Sequence, residues 1–155
     1  MVTRNQKAFL DMIAVSELQQ AVIDSSDNGY NVLFGSIPGH LLLFQSYADH
    51  PRIYNSKFDT TAAGRYQLLA KYFDAYKIRL GLPDFSPSSQ DVIALQQIKE
   101  QHALSNIEAG HIHIAIAQCS NIWASLPGNN YGQHQNKMPY LCDLYSKAGG
   151  SIIAA

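Results

Sequence analysis

The sequence predicts an α+β domain. Three observations predict it: an amphipathic helical period at the N-terminus, two short extended runs behind a turn-rich segment, and a succession of helical periods through the remainder. At 155 residues the chain suits one domain, 1–155, which at this size buries roughly 70% of the surface its unfolded form exposes.

Thr3 and Gln6 make a T-x-x-Q capping box, in which each side chain satisfies a backbone N–H left open at a helix start. A first helix therefore begins near Arg4. Phe9, Met12, Ile13, Ser16 and Glu17 follow at i, i+3, i+4, i+7 and i+8, one stripe of a 3.6-residue period. Glu17 thus continues an apolar face. Partial burial disfavours a charged carboxylate and raises its pKa, which is what a general acid working near neutrality needs. Periodicity alone leaves a second reading, a rim carboxylate that is solvated or paired with a base.

The helix is expected to run to "DSSDNGY" (24 to 30), whose Asp27-Asn28-Gly29 suits positive φ angles. "YNVLF" (30 to 34) and "LLLFQ" (41 to 45) then read as the arms of a small hairpin. Residues 46 to 61 are polar and aperiodic, a length of loop that is often functional. Residues 62 to 82 have helical spacing, with Leu68, Leu69, Tyr72, Phe73 and Tyr76 on one face and Gly81 as the stop. The next helix opens with Ser86 as N-cap and Pro87 at its first position, and Val92, Leu95 and Ile98 form its expected buried stripe. "ALSNIEAG" is a short turn closed by Gly110, and residues 111 to 126 read as a central buried helix. A loop at 127 to 133 precedes a last helix starting at His134, indented by Pro139 and stopped by Gly149-Gly150, after which the tail is expected to fray. This plan places a small sheet beside a helical lobe, with Glu17 at the cleft expected between them.

The composition is globular, with 46% hydrophobic and 15% charged residues, and a net charge of −1 gives no pull toward nucleic acid or acidic membranes. Cys119 and Cys142 fall in helical segments and are expected to be reduced, buried thiols. The N-terminus carries neither a signal-peptide pattern nor a membrane span. Neither a metal nor another cofactor is expected, because His111 and His113 at i, i+2 diverge on a helix and no carboxylate or Cys completes a ligand set around His50 or His134. No nucleophile elbow supports a Ser-His-Asp hydrolase. Asp49 and Arg52 in "YADHPR" read as an ion pair that shapes the loop.

Three stretches combine an aromatic with small or amide residues: "GYNVLFG", "TTAAGRYQ" and "SLPGNNYGQ". Aromatic faces pack on the apolar sides of sugar rings while amides and hydroxyls bond ring substituents. The residues singled out in these stretches are Tyr30, Arg65, Tyr66, Gln67, Tyr131 and Gln133, to which Asn121, just upstream of the third, is added, with Gly64 letting the backbone approach a ligand closely. Taken singly, Tyr66 reads equally well as a core aromatic and Tyr131 as an ordinary loop residue.

"RNQKAFLDMIAVSE", "GYNVLFG", "YADHPR", "AGRYQLL", "LGLPDFSPSSQDVIALQQIKE", "CSNIWASLPGNNYGQ" and "KAGG" together resemble, in this order and over nearly the whole chain, the lambda-type bacteriophage endolysins. The resemblance implies a lysozyme-like fold and a lytic transglycosylase. That activity cuts the β-1,4 bond between N-acetylmuramic acid and N-acetylglucosamine and leaves a 1,6-anhydromuramic end. By the "FLDMIAVSE" block the single acid is Glu17. The resemblance also implies two lips over the saccharide, near Arg52 to Thr61 and Pro127 to Met138. It implies a protein held in the host cytoplasm until a holin opens the way to the cell wall, and a monomer is the default expectation.

Hydrolytic phage lysozymes carry Glu-x8-Asp-x5-Thr, and the corresponding positions here are Ser26 and Val32. Asp24, Asp27 and Asp49 remain candidates for a shifted carboxylate. The alternatives are therefore a hydrolytic muramidase and a peptidoglycan-binding protein without turnover. Departures from the lambda-type pattern are Leu18 in place of Gly, Val15 in place of Trp, Asn31 in place of Asp, a longer segment from Ser36 to Ser46, and a shorter upper lip.

Overall fold

In the computed structural model, which describes residues 1–153, Thr3 begins the first helix as its spacing requires. Gln6 N donates to Thr3 Oγ1 at 3.1 Å and Thr3 N donates to Gln6 Oε1 at 3.4 Å, the two arms of the capping box. Among the described residues seven helices follow in order: α1 Arg4–Leu18, α2 Gln20–Asp24, α3 Ala70–Leu80, α4 Pro87–Glu100, α5 Leu104–Ala109, α6 Ile112–Cys119 and α7 Met138–Lys147. The chain divides into two compact units, Glu17–Ile93 and Met1–Ser16 with Ala94–Ala155.

In the unit Glu17–Ile93 the expected single helix is broken after Leu18. Gln19 takes φ +71° and a separate short α2 follows, because a residue in the left-handed region cannot continue a right-handed helix. The expected hairpin is present as isolated antiparallel bridges. Val32 faces Leu43, Leu33 N donates to Leu42 O at 2.8 Å, and Phe44 N donates to Asn31 O at 3.0 Å. The segment 62 to 69, read as helix from its spacing, is instead a tight turn in which Ala63 pairs with Leu68. Gly64 at φ +86° and Gln67 at φ +53° reverse the chain there, and α3 starts only at Ala70.

Phe73, Tyr76, Phe85, Phe44, Leu68 and Ile93 form this unit's core, with Leu80 packed against it. Tyr72, assigned to that face, is 48% exposed, because the buried stripe passes through Phe73 and Tyr76. Gly81 at φ +61° ends α3 as expected. Ser89 N donates to Ser86 Oγ at 3.3 Å, so Ser86 caps α4 and Pro87 stands at its first position. The buried stripe of α4 is Gln90, Ile93, Ala94, Gln97 and Ile98, whereas Val92 is 41% exposed and Leu95 half-buried. An apolar-only template overlooks a stripe that includes two glutamines.

In the unit formed by Met1–Ser16 and Ala94–Ala155, the first segment buries Phe9, Met12 and Ile13. The Phe9 and Tyr145 rings meet edge to face at 6.5 Å. The expected central helix is only α6, eight residues long, with Ile112, Ala115, Ile116 and Cys119 buried and His113 and Ile114 facing out. The last helix begins at Met138, with Pro139 in its first turn where a missing N–H costs nothing, so His134 precedes it. Cys119 is a buried free thiol, raised to about 12 by burial, and Cys142 is free and half-buried. The tail does not fray through Ile153: Ser151 N donates to Asn5 Oδ1 and Ile153 N to Gly110 O, each at 3.1 Å. The expectation for residues 154 and 155 lies outside the described residues. Among the described residues, no helix is long and apolar enough to cross a membrane.

Candidate functional site

Glu17 stands half-buried in the last turn of α1. Its neighbour Leu18 is buried, and Leu18 Cδ1 lies 2.8 Å from the point where a side chain on Gly29 would begin. Leu18 fills the space over Gly29, beside Arg65.

The turn 26 to 31 is built from its own polar groups. Ser26 Oγ donates to Val22 O at 2.7 Å and accepts from Gly29 N at 3.0 Å. Asn31 Oδ1 accepts from Asp27 N at 2.9 Å, so Asn31 stabilises the turn. Arg65, 5% exposed, donates through Nη1 to Asn28 O at 2.6 Å. Its guanidinium lies 5.4 Å from the Tyr30 ring centre and 5.9 Å from that of Tyr66.

Three predicted residues, Tyr30, Arg65 and Tyr66, are thereby brought together, along with two that sequence reasoning missed. Asp91 accepts from Tyr30 OH at 2.9 Å and from Tyr66 OH at 2.7 Å. Burial, reinforced by the Asp91 charge, pushes the Tyr30 hydroxyl up to about 12 and raises that of Tyr66 further. Gln90, buried, accepts from Arg65 N at 2.9 Å and donates to Tyr30 O at 3.1 Å and Phe85 O at 2.9 Å. The signal available in the sequence was the adjacent pair Gln90-Asp91 in the first turns of a helix otherwise rich in apolar residues.

Gly64 serves a different purpose from the one expected. The Gln90 side chain and Phe85 Cζ occupy the space where a Gly64 side chain would be, so the close approach is to the protein's own interior. Gln67 ties the same turn, donating from Nε2 to Gly64 O at 2.9 Å.

The loop 46 to 61 is held at its start. Arg52 pairs with Asp49 at 3.0 Å, as expected, and also bonds Asp74. The pairing holds both carboxyls below their usual range. His50 is buried against Phe73 and Phe85, and Nδ1 accepts from Arg52 N at 3.0 Å. Nε2 therefore carries the proton and donates to Leu68 O at 2.8 Å. Burial lowers the pKa of this ring.

In the other unit, Asn121, Tyr131 and Gln133 are exposed, Tyr131 by 54%. Tyr131 OH donates to Asn121 O at 2.8 Å. The loop that carries Tyr131 and Gln133 is organised by Asn129, missed in the sequence, whose Nδ2 donates to Ser120 O at 3.0 Å, Ala124 O at 3.2 Å and Leu126 O at 2.9 Å. Among the described residues no group of three or more His, Cys, Asp or Glu side chains converges as a metal site.

A model of the endolysin family matches residues 7–152. The chain belongs to the endolysin family. It is 48% identical to the endolysin of Escherichia phage lambda, covering 97% of this chain and 95% of that protein. It is 43% identical to the endolysin of Escherichia phage P2, covering 95% and 94%. Among solved structures it resembles a bacteriophage lambda lysozyme complexed with a chitohexasaccharide, at 47% identity and a TM-score of 0.90 over 99% of both chains. A second lysozyme from bacteriophage lambda matches with a TM-score of 0.85 at 46% identity, again over 99% of each. This endolysin therefore has the lysozyme-like α+β fold that its sequence implied.

Proposed function

We propose that this endolysin cleaves the β-1,4 bond between N-acetylmuramic acid and N-acetylglucosamine of peptidoglycan without consuming water. As acid, the Glu17 carboxyl gives its proton to the glycosidic oxygen as the bond from that oxygen to the anomeric carbon breaks. The muramic C6 hydroxyl oxygen then bonds to the same carbon and its proton passes to the Glu17 carboxylate. The enzyme is restored, and one product ends in 1,6-anhydromuramic acid. One residue in two roles makes a second carboxylate unnecessary, unlike the flanking pair of hydrolysing glycosidases.

The observation that carries this reading is the use made of Ser26 and Val32, the positions that correspond to the Asp and Thr of hydrolytic phage lysozymes. Ser26 spends its hydroxyl on the backbone of its own turn, and Val32 is fully buried. Of the other candidates, Asp24 accepts from Gln20 Nε2, Asp27 from Tyr47 OH, and Asp49 pairs with Arg52. Each has a structural task.

Tyr30, Gln67, Asn121, Tyr131 and Gln133 are assigned to glycan contact, in keeping with the chitohexasaccharide held by the related lambda lysozyme. Arg65 and Tyr66, 6% exposed in the case of Tyr66, act on the glycan by holding Tyr30 and the turn 26 to 31 in place. The protein works as a monomer and a single domain, reaching the wall from the host cytoplasm once a holin has opened the membrane.

Mass spectrometry of soluble muropeptides released from purified peptidoglycan, without a reducing step, tests the reaction. Fragments lighter than hydrolytic products by one water are expected. Reducing muramic ends would make the enzyme a muramidase, and the absence of soluble fragments would make it a binding protein.

A further inference from the structure

We propose that Asn136 is a positioning residue for Glu17, acting through Ser16. The inference rests on Glu17 being the acid and names what holds it in register.

Ser16 precedes Glu17 and is buried in the last turn of α1. Carbonyls in the last turn of a helix lack partners from the helix itself, and here the chain turns away at Gln19, with φ +71°. Asn136 meets that need. Its Nδ2 donates to Ser16 O at 3.2 Å and to Ser16 Oγ at 2.9 Å. Ser16 Oγ also lies 2.7 Å from Ser125 Oγ, and Asn136 N donates to Ser125 O at 2.8 Å. Ser16, Ser125 and Asn136 thus close a ring of hydrogen bonds directly before the acid.

The loop side of this ring is itself braced. Gln135 Nε2 donates to Asn129 O at 2.9 Å and to Asn129 Oδ1 at 3.0 Å, and Asn129 is tied to three backbone carbonyls. The residue beside Asn136 is therefore anchored before any ligand arrives. A general acid must reach the glycosidic oxygen to within hydrogen-bond distance, and small displacements of a reacting group are costly in rate. Removing the Asn136 amide frees the last turn of α1, and the Glu17 carboxyl with it. Glycan binding is left intact because Asn136 is spent on Ser16 and Ser125.

The test measures kcat and KM on soluble, uncrosslinked glycan strands for Asn136→Ala, Asn136→Asp and Ser16→Ala. Asn136→Asp keeps the size of the side chain and loses its N–H donors, so it remains informative if Ser16→Ala folds poorly. The expected result is a fall in kcat of about tenfold with KM within about twofold of the parent. In the double variant Ser16→Ala with Asn136→Ala, the loss should be smaller than the product of the single losses, since both remove one shared interaction.

A rise in KM at parental kcat overturns the proposal, because it makes Asn136 a substrate contact. Unchanged kcat in both Asn136 variants overturns it too, as do losses that multiply in the double variant. Glu17→Gln is measured alongside. If that variant retains parental turnover, the assignment of the acid has failed, whereas an inactive Glu17→Gln with a fully active Asn136→Ala overturns the positioning role alone.

Discussion

Gln90 fills the space in which any side chain on Gly64 would have to begin. The same amide accepts from Arg65 N and donates to Tyr30 O, so the turn at 64 and the turn near Tyr30 are locked to one side chain of α4. Gly64→Ala must push Gln90 aside and also hold an L-residue at φ +86°. A loss of about 2–4 kcal/mol is expected from these two costs together. Urea unfolding of the variant would read it, and an unchanged midpoint would refute the packing described.

Asp91 receives both tyrosine hydroxyls. Asp91→Asn removes the charge that helps raise the Tyr30 hydroxyl, while burial, the larger cause, remains. The Tyr30 pKa should therefore fall from about 12 without returning to the ordinary value of 10.0. Ultraviolet difference titration of the variant against the parent measures this, and coincident curves would show that the carboxylate does not act on Tyr30.

Glu17→Gln keeps the shape of the proposed acid and removes its proton. It should unfold within about 0.5 kcal/mol of the parent, the range common for substitutions that disturb no core packing, and lose nearly all turnover. Cell-wall digestion within a few-fold of the parent would reject Glu17 as the acid.

His50 makes stability depend on pH in a defined direction. Burial depresses its pKa in the folded protein below the 6.5 of the free side chain, so the unfolded chain binds the proton more readily. Its contribution is present above pH 6.5 and is lost as pH falls through the folded value. Asp49 and Asp74, held low by Arg52, add a separate loss below their ordinary value of 3.8. His50→Gln should flatten Tm against pH in the upper window only. A parental slope there would assign that dependence to other groups.

Thiol chemistry should separate the two cysteines. Cys142 is half-buried, whereas Cys119 is buried and its pKa is raised to about 12. A thiol reagent at neutral pH should modify Cys142 first, leaving Cys119 unmodified until the protein is unfolded. Equal rates for both would contradict the burial of α6.

The features legible in the sequence were those governed by neighbours in the chain: the Thr3 and Gln6 box, the Ser86-Pro87 start of α4, and the Gly81 and Gly110 stops. The misread features depended on distant partners. Residues 62 to 69 have helical spacing, yet Gln90 and the pairing of Ala63 with Leu68 make them a turn. The buried face of α4 includes Gln90 and Gln97, and a polar residue on a buried face is visible only once its partners are known. The same reason hid Asp91, Asn129 and the Ser16, Ser125 and Asn136 ring, while Glu17 stood out because it extended an apolar stripe.

The division of the chain has a consequence for its birth on the ribosome. Residues Met1–Ser16 belong to a unit whose other part is Ala94–Ala155, so Phe9 must wait for Tyr145 to be synthesised before the two rings can meet. The intervening segment Glu17–Ile93 alone takes roughly 4–15 s to translate at about 5–20 residues per second. Until Tyr145 is made, the apolar residues Phe9, Met12 and Ile13 lack the partners that bury them in the folded chain, while Glu17–Ile93, continuous in sequence, has all of its own residues once Ile93 is made.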